Sequence, residues 1–348
     1  MNYNRLNTSQ ATALLCVFLC SSLGDTNGMR SGGFAPLALL CAGVGALLPV
    51  CVFSFALGKT RSKNIFDSAK QLLPYPIWIV FSVLLILSAV TYASVSLLSF
   101  TSFIGVTTLP ETPPIIIAIA VCVVSALIVK SGLNTAGKCG QIFLAFIIIT
   151  TVLSAILTLS TGEISSFYDN FRTNDFIRDG VFVFCSSFCK TTIFLGAVSY
   201  IKGNHPKKVV WRSTYGALLI IGATMIRDLA TIGSKVCSFI DYPSYYAMSD
   251  ISVFDFLQRI EVISTINALL FCIIDITVCI FCACIGLSRV SNTTSARDYA
   301  MPLGLVIAGI TASVSHFSDF GFYIVFAIVS VTLALVVATV GKLKNSTH

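Results

Sequence analysis

The chain of 348 residues is 56% hydrophobic and only 11% charged, against about 25% charged for an average soluble domain. With a mean hydropathy of +0.90 and repeated apolar runs near the length that crosses about 30 Å of hydrocarbon, a soluble globule is excluded and an all-α polytopic membrane protein follows. The formal charge of +7 sits in short loops between apolar runs, where the positive-inside rule accounts for it; the expected partner is the lipid bilayer, with no nucleic acid.

About ten candidate spans meet the length criterion. In chain order they are Leu6–Leu23, Phe34–Leu57, Ile77–Phe103, Pro114–Val129, Gln141–Leu159, Val181–Ile201, Ser213–Ile232, Phe256–Leu287, Met301–Ser315 and Phe320–Val340. They read as a single integral membrane domain over 1–348. Span one is taken as a retained helix rather than a signal peptide, because only Arg5 precedes it and Ser21-Ser22-Leu23-Gly24-Asp25 is a poor small-x-small cleavage site. Lys59, Arg61, Lys63 and Lys70 follow span two, Lys130 and Lys138 follow span four, and Lys202, Lys207, Lys208 and Arg212 follow span six. The odd exits carry the acids, among them Glu111, Glu163, Asp169, Asp241, Asp250 and Asp255. Both termini are therefore expected on the cytoplasmic side of a multi-pass protein.

Span one ends in Ser21, Ser22, Gly24 and Gly28, small and polar residues that let a helix unwind and backbones approach. Span three brings Thr91, Tyr92, Ser94, Ser96 and Ser99, whose hydroxyls either line a cavity or bond their own helix carbonyls. Span six is interrupted at Cys185-Ser186-Ser187-Phe188-Cys189-Lys190, and an ammonium at mid-membrane must pair, snorkel or face a polar cavity. Lys190 therefore faces either a ligand carboxylate or an internal acid, and Asp275, midway along span eight, is the natural internal partner. Two interrupted helices meeting at mid-membrane, spans one and six, would surround a small zwitterion or ion with free backbone groups. The ligand-binding candidates are thus Ser21, Ser22, Gly24, Tyr92, Ser96, Ser186, Ser187, Phe188, Lys190 and Asp275.

Between spans seven and eight, Phe239, Tyr242, Tyr245, Tyr246 and Phe254 suit an aromatic belt at the interface or, in the sharper reading, a gate over a cavity. Arg259 and Glu261 at the outer start of span eight fit a local ion pair or gate together with Tyr242, and Arg227-Asp228 reads as a structural pair. The thirteen cysteines fall mostly within apolar runs and read as packing residues; Cys279, Cys282 and Cys284 have no histidine near them, so no metal and no cofactor is expected. No nucleophile elbow, zinc signature, phosphate loop or catalytic carboxylate pair is present, which argues against an enzyme.

Asp241-Tyr242-Pro243-Ser244-Tyr245-Tyr246-Ala247-Met248, continuing through Ile251-Ser252-Val253-Phe254-Asp255 to Arg259-Ile260-Glu261, resembles the B-subunit family of spore nutrient-germinant receptors. Leu109-Pro110-Glu111-Thr112-Pro113-Pro114 and the early Ser9-Gln10 resemble the same family. The resemblance implies the fold of amino acid/polyamine/organocation transporters: ten helices in two inverted five-helix repeats, here 1–160 and 178–342, with helices one and six broken. It further implies a small-molecule nutrient, an amino acid, bound among helices one, three, six and eight, with A-type and C-type receptor subunits as partners in a spore inner membrane. The alternative is an ion-coupled amino acid transporter of the same fold. No ionisable residue stands in the middle of span five, where a proton-coupled relative would keep a lysine, which tilts the reading to the receptor. The chain departs from the family in ending span one with Ser21-Ser22-Leu23-Gly24 and in carrying Lys190 in span six.

Overall fold

The computed structural model describes residues 6–21, 35–45, 64–161, 173–194, 196–197, 200–202, 206–250, 261–293, 295–314 and positions 325, 326, 328, 329 and 332. The described secondary structure is helical apart from one isolated backbone bridge. The helices are α1 (Thr8–Cys20), α2 (Ala35–Gly45), α3 (Ile65–Leu72), α4 (Tyr75–Thr107), α5 (Pro114–Ser131), α6 (Leu133–Thr161), α7 (Thr173–Val183), α8 (Thr191–Phe194), α9 (Pro206–Ile232), α10 (Ser234–Cys237), α11 (Pro243–Asp250), α12 (Glu261–Val290) and α13 (Ala300–Ser313). Among the described residues five helices, α4, α5, α6, α9 and α12, are long and apolar enough to cross a membrane. Span ten falls almost wholly outside the described residues.

Local sequence sets the ends. Pro114 opens α5 where its missing N–H is no loss, and Asn64 caps α3 by accepting from the Phe66 amide at 3.3 Å. Gly132 joins α5 to α6 at a φ of 108°, a conformation that side chains disfavour. Two expected boundaries move. The helix of span five begins eight residues earlier than Gln141, at Leu133, because Gly137 and Gly140 are absorbed into it: a Cβ at Gly140 would stand 2.9 Å from the Leu14 Cα. Span seven likewise starts at Pro206 rather than Ser213. Helices α3, α10 and α11 fill stretches read from sequence as loops.

Burial ranks the helices. In α12, 83% of an apolar 18-residue stretch is buried, against 28% in α6, so α12 lies at the centre and α6 faces outward with Ile142, Ile149, Val152 and Ile156. Helix α1 is buried on all sides from Ala13 to Cys20, the pattern of a core helix. It packs on α6, α9 and α12, while α12 packs on α4 and α5 and α13 closes over α5 and α4.

Span six is not a continuous α-helix. After Val183 the chain widens into a π-helical turn, Phe184–Phe188, turns through Cys189 and Lys190, and resumes as the single-turn α8. Its far end is tied to the beginning of span one: the Leu6 amide donates to the Tyr200 carbonyl at 2.8 Å and the Lys202 amide to the Leu6 carbonyl at 2.7 Å, a parallel bridge between Leu6 and Ile201. Helix α1 stops at Cys20, with Ser21 as its C-cap, where the small and polar run begins.

Candidate functional site

The end of α1, the break in span six and the middles of α4 and α12 converge. Lys190 and Asp275 are both fully buried, and the Lys190 Nζ stands 3.7 Å from the Asp275 Oδ1. The same ammonium donates to the Ser21 hydroxyl and sits over the rings of Phe18 and Tyr92, 5.0 and 5.5 Å from their centroids. Asp275 accepts on one oxygen from Ser21 at 2.7 Å and on the other from Ser96 at 2.9 Å. Every group that an isolated buried ion requires is thus supplied from within: a counter-charge, hydroxyl donors for both carboxylate oxygens, and π faces for the ammonium. Removing one partner leaves the other charge bare, which typically costs about 3–5 kcal/mol.

Toward the α11 side of this cluster lies a cavity of about 80 Å³, space for several waters or a small organic solute. Ser21 and Ser96 line it, joined by Ser99, Phe100 and Phe103 of α4, Thr224 and Arg227 of α9, and Ser264, Asn267 and Phe271 of α12. Tyr242, Tyr245 and Met248 also line it, as do Ile147 and Thr151 of α6. Phe103 lies edge-on to Tyr242 and Tyr245, with ring centroids 5.0 and 5.8 Å apart, and the Tyr245 hydroxyl reaches the Thr107 carbonyl at 3.5 Å. Tyr242 and Tyr245 therefore cover a cavity, whereas Phe239 is 89% exposed and suits a belt.

The structure redistributes the expected site. Ser21, Ser96 and Tyr242 line the cavity. Lys190 and Asp275 do not; they sit behind the two serines, so Ser21 stands between the ammonium and the cavity. Tyr92 packs around Lys190, with its hydroxyl 3.4 Å from the Ser186 carbonyl and its ring 5.0 Å from that of Phe326. Ser186 and Ser187 are buried in the π-helical turn, and the Ser186 hydroxyl has no partner among the described residues. Phe188 closes that turn, its side chain lying outside the described residues. Ser22, Gly24 and Arg259 also lie outside the described residues, and Glu261, half-buried, is the first residue of α12 and does not line the cavity. Thr91 and Ser94 bond their own helix, to the Leu87 and Val90 carbonyls.

Sequence reasoning missed Arg227 as a cavity residue. Its guanidinium holds Asp228 through two nitrogens and donates to Ser154 at 3.0 Å, and Asp228 accepts from Ser244 at the start of α11. No sequence signal marks it, because an arginine beside Asp228 reads as a local pair; in the structure Arg227 is 4% exposed. Among the described residues no group of His, Cys, Asp and Glu is placed to hold a metal ion, and the described cysteines are free thiols.

No curated protein matches the sequence significantly. Among solved structures, the crystal structure of MhsT in complex with L-phenylalanine shares the fold, with a TM-score of 0.65 at 13% identity, covering 94% of this chain and 87% of that one. The resemblance read from the Tyr-Pro and Arg-Ile-Glu segments holds at the level of the family: residues 33–320 match the profile of the spore permeases, described as spore germination proteins. With that match over most of its length and a helical bundle built to cross a membrane, this chain belongs to the spore germination protein family of multi-pass membrane proteins.

Proposed function

We propose that the chain is the membrane subunit of a germinant receptor that binds a small nutrient, an amino acid, in the cavity between Ser21, Ser96 and Tyr242, and signals its occupancy to A-type and C-type partner subunits. The observation that carries this reading is the cavity itself: a space lined by hydroxyls and flanked by aromatics, where α1 ends beside the break in span six. The likeness to MhsT, solved with L-phenylalanine, supports an amino acid as occupant. In this reading both termini face the cytoplasm of the spore inner membrane, residues 1–160 and 178–342 are inverted repeats, and the tyrosine roof faces outward. Occupancy acts by favouring one of two states of the assembly.

The second reading, ion-coupled carriage of the same ligand, is favoured by the family's designation as permeases. Both are tested on the full chain in lipid nanodiscs and vesicles. A thermal-shift screen of the twenty L-amino acids is expected to find a stabilising ligand, since a ligand at a hundred times its Kd adds about 2.7 kcal/mol to the folded state. Uptake of that ligand driven by an ion gradient into vesicles holding this chain alone would favour the carrier; binding without uptake favours the receptor. A screen with no stabilising amino acid overturns both.

A further inference from the structure

We infer that the cavity floor is an acceptor surface that selects the ammonium group of its ligand, and that Asp275 is the positioning residue that makes it so. The inference rests on the proposed function and deepens it by assigning the end of the ligand that is recognised.

A carboxylate only accepts hydrogen bonds, and each serine hydroxyl has one proton to give. Ser96 spends its proton on one oxygen of Asp275, at 2.9 Å. Ser21 lies 2.7 Å from the other oxygen and 2.9 Å from the Phe18 carbonyl, both acceptors and both away from the cavity, and it also accepts from Lys190. Whichever acceptor takes the Ser21 proton, neither hydroxyl has one left for the cavity that both line. What they present there is lone pairs: two on Ser96 and one on Ser21.

Three further features act in the same direction. Ser21 is the C-cap of α1, so the negative end of that helix dipole lies at the floor. Lys190 is engaged by Ser21, Asp275 and the faces of Phe18 and Tyr92 and does not line the cavity, so it offers a ligand carboxylate nothing directly. The cation that does line the cavity, Arg227, belongs to the level of Ser154 and Ser244 at the α11 side rather than to the floor. Lys190 and Asp275 cancel in charge, leaving the floor neutral but oriented: a fixed array of acceptors in a medium where orientation is felt strongly. A primary ammonium, with three donors, matches it, and a ligand that ends in a carboxylate at this point would meet lone pairs with lone pairs.

The test compares three molecules for whichever L-amino acid stabilises the full chain best in nanodiscs: the amino acid, the amine left by its decarboxylation and the acid left by its deamination. The amine is expected to keep binding within about tenfold of the amino acid, and the acid to lose at least a hundredfold, as buried polar mismatches do. Ser96→Ala removes an acceptor from the floor together with the donor it gives Asp275, and is expected to weaken the amine at least fivefold and to lower the melting temperature in the absence of ligand. The double variant Lys190→Met with Asp275→Asn keeps the site neutral but supplies a donor amide to one serine, which frees a hydroxyl proton for the cavity; it is expected to narrow the gap between acid and amine. Acid binding as tight as amine binding, or a Ser96→Ala protein with unaltered affinity, would overturn the acceptor floor while leaving the nutrient site standing. Failure of every amino acid to bind would overturn the proposed function and this inference with it.

Discussion

Leu6 and Ile201 form a parallel backbone bridge that clasps the start of span one to the end of span six. Ser21, at the other end of α1, lines the cavity. Thirteen helical residues separate the two, about 20 Å of packed helix. The proposed receptor can keep this clasp closed throughout, whereas carriage past this end of span one would require it to open. Cysteines at bridge-paired positions lie within the usual disulfide span of about 4.4–6.8 Å between Cα atoms. Oxidised Leu6→Cys with Ile201→Cys is therefore expected to keep full ligand binding and full germination response. Loss of the response on oxidation and its return on reduction would show that the clasp must open.

Lys190→Met is expected to lower stability by about 3–5 kcal/mol, because the Asp275 carboxylate then stands bare in the core. Asp275→Asn should cost a similar amount. The two together are expected to cost less than either alone, since no charge remains to be solvated. Melting temperatures of the four proteins in detergent close this cycle; strictly additive losses would mean that the two residues act separately.

Gly140→Ala places a methyl group 2.9 Å from the Leu14 Cα and 3.1 Å from its nitrogen, backbone that has no rotamer to yield. Overpacking of this kind costs about 1–3 kcal/mol. Gly105→Ala meets nothing within 4 Å and serves as the control, with unchanged or slightly raised stability. Thermal unfolding of both variants checks the α1 to α6 contact.

Tyr242→Ala removes the edge-to-face contact with Phe103 over the cavity. Such pairs contribute about 0.5–1.5 kcal/mol, so ligand dissociation is expected to quicken roughly two- to tenfold. The comparison is Phe239→Ala, an exposed aromatic of the same segment, which should leave dissociation unchanged. Stopped-flow displacement of bound ligand measures both.

Arg227→Ala leaves Asp228 buried with Ser244 as its remaining donor among the described residues, and is expected to lower stability by about 3–5 kcal/mol. Arg227→Lys keeps the charge but not the two-pronged hold on Asp228, and should fall between the two. Melting temperatures order the three proteins.

Apolar run length read out most of the bundle, because in hydrocarbon a backbone has few ways to satisfy itself other than as helix. The rule that a buried ion needs company brought Lys190 and Asp275 forward together. What run length could not show was which side of a wall each residue occupies. Lys190 was equally consistent with a ligand carboxylate or an internal acid, and only the register of α1 against the span-six break puts Ser21 between it and the cavity. Arg227 stayed hidden for the opposite reason: a charge next to an opposite charge near a span end suggests a local pair, and its reach to Ser154 and the cavity depends on helix packing. Span five began early because Gly137 and Gly140, which break helices in water, here let α1 lie close against α6.

The wide turn at Phe184–Phe188 acts as a phase shifter. It accommodates one residue more than an ordinary helical turn, so everything beyond it is rotated relative to the helix before it. Deleting one residue there would rewind the segment and swing the lysine side chain through about 100°, out of the cage formed by Phe18 and Tyr92. The address of the innermost charge in this protein is thus written in backbone winding, and a single-residue length change would erase it while leaving every side chain of the cage in place.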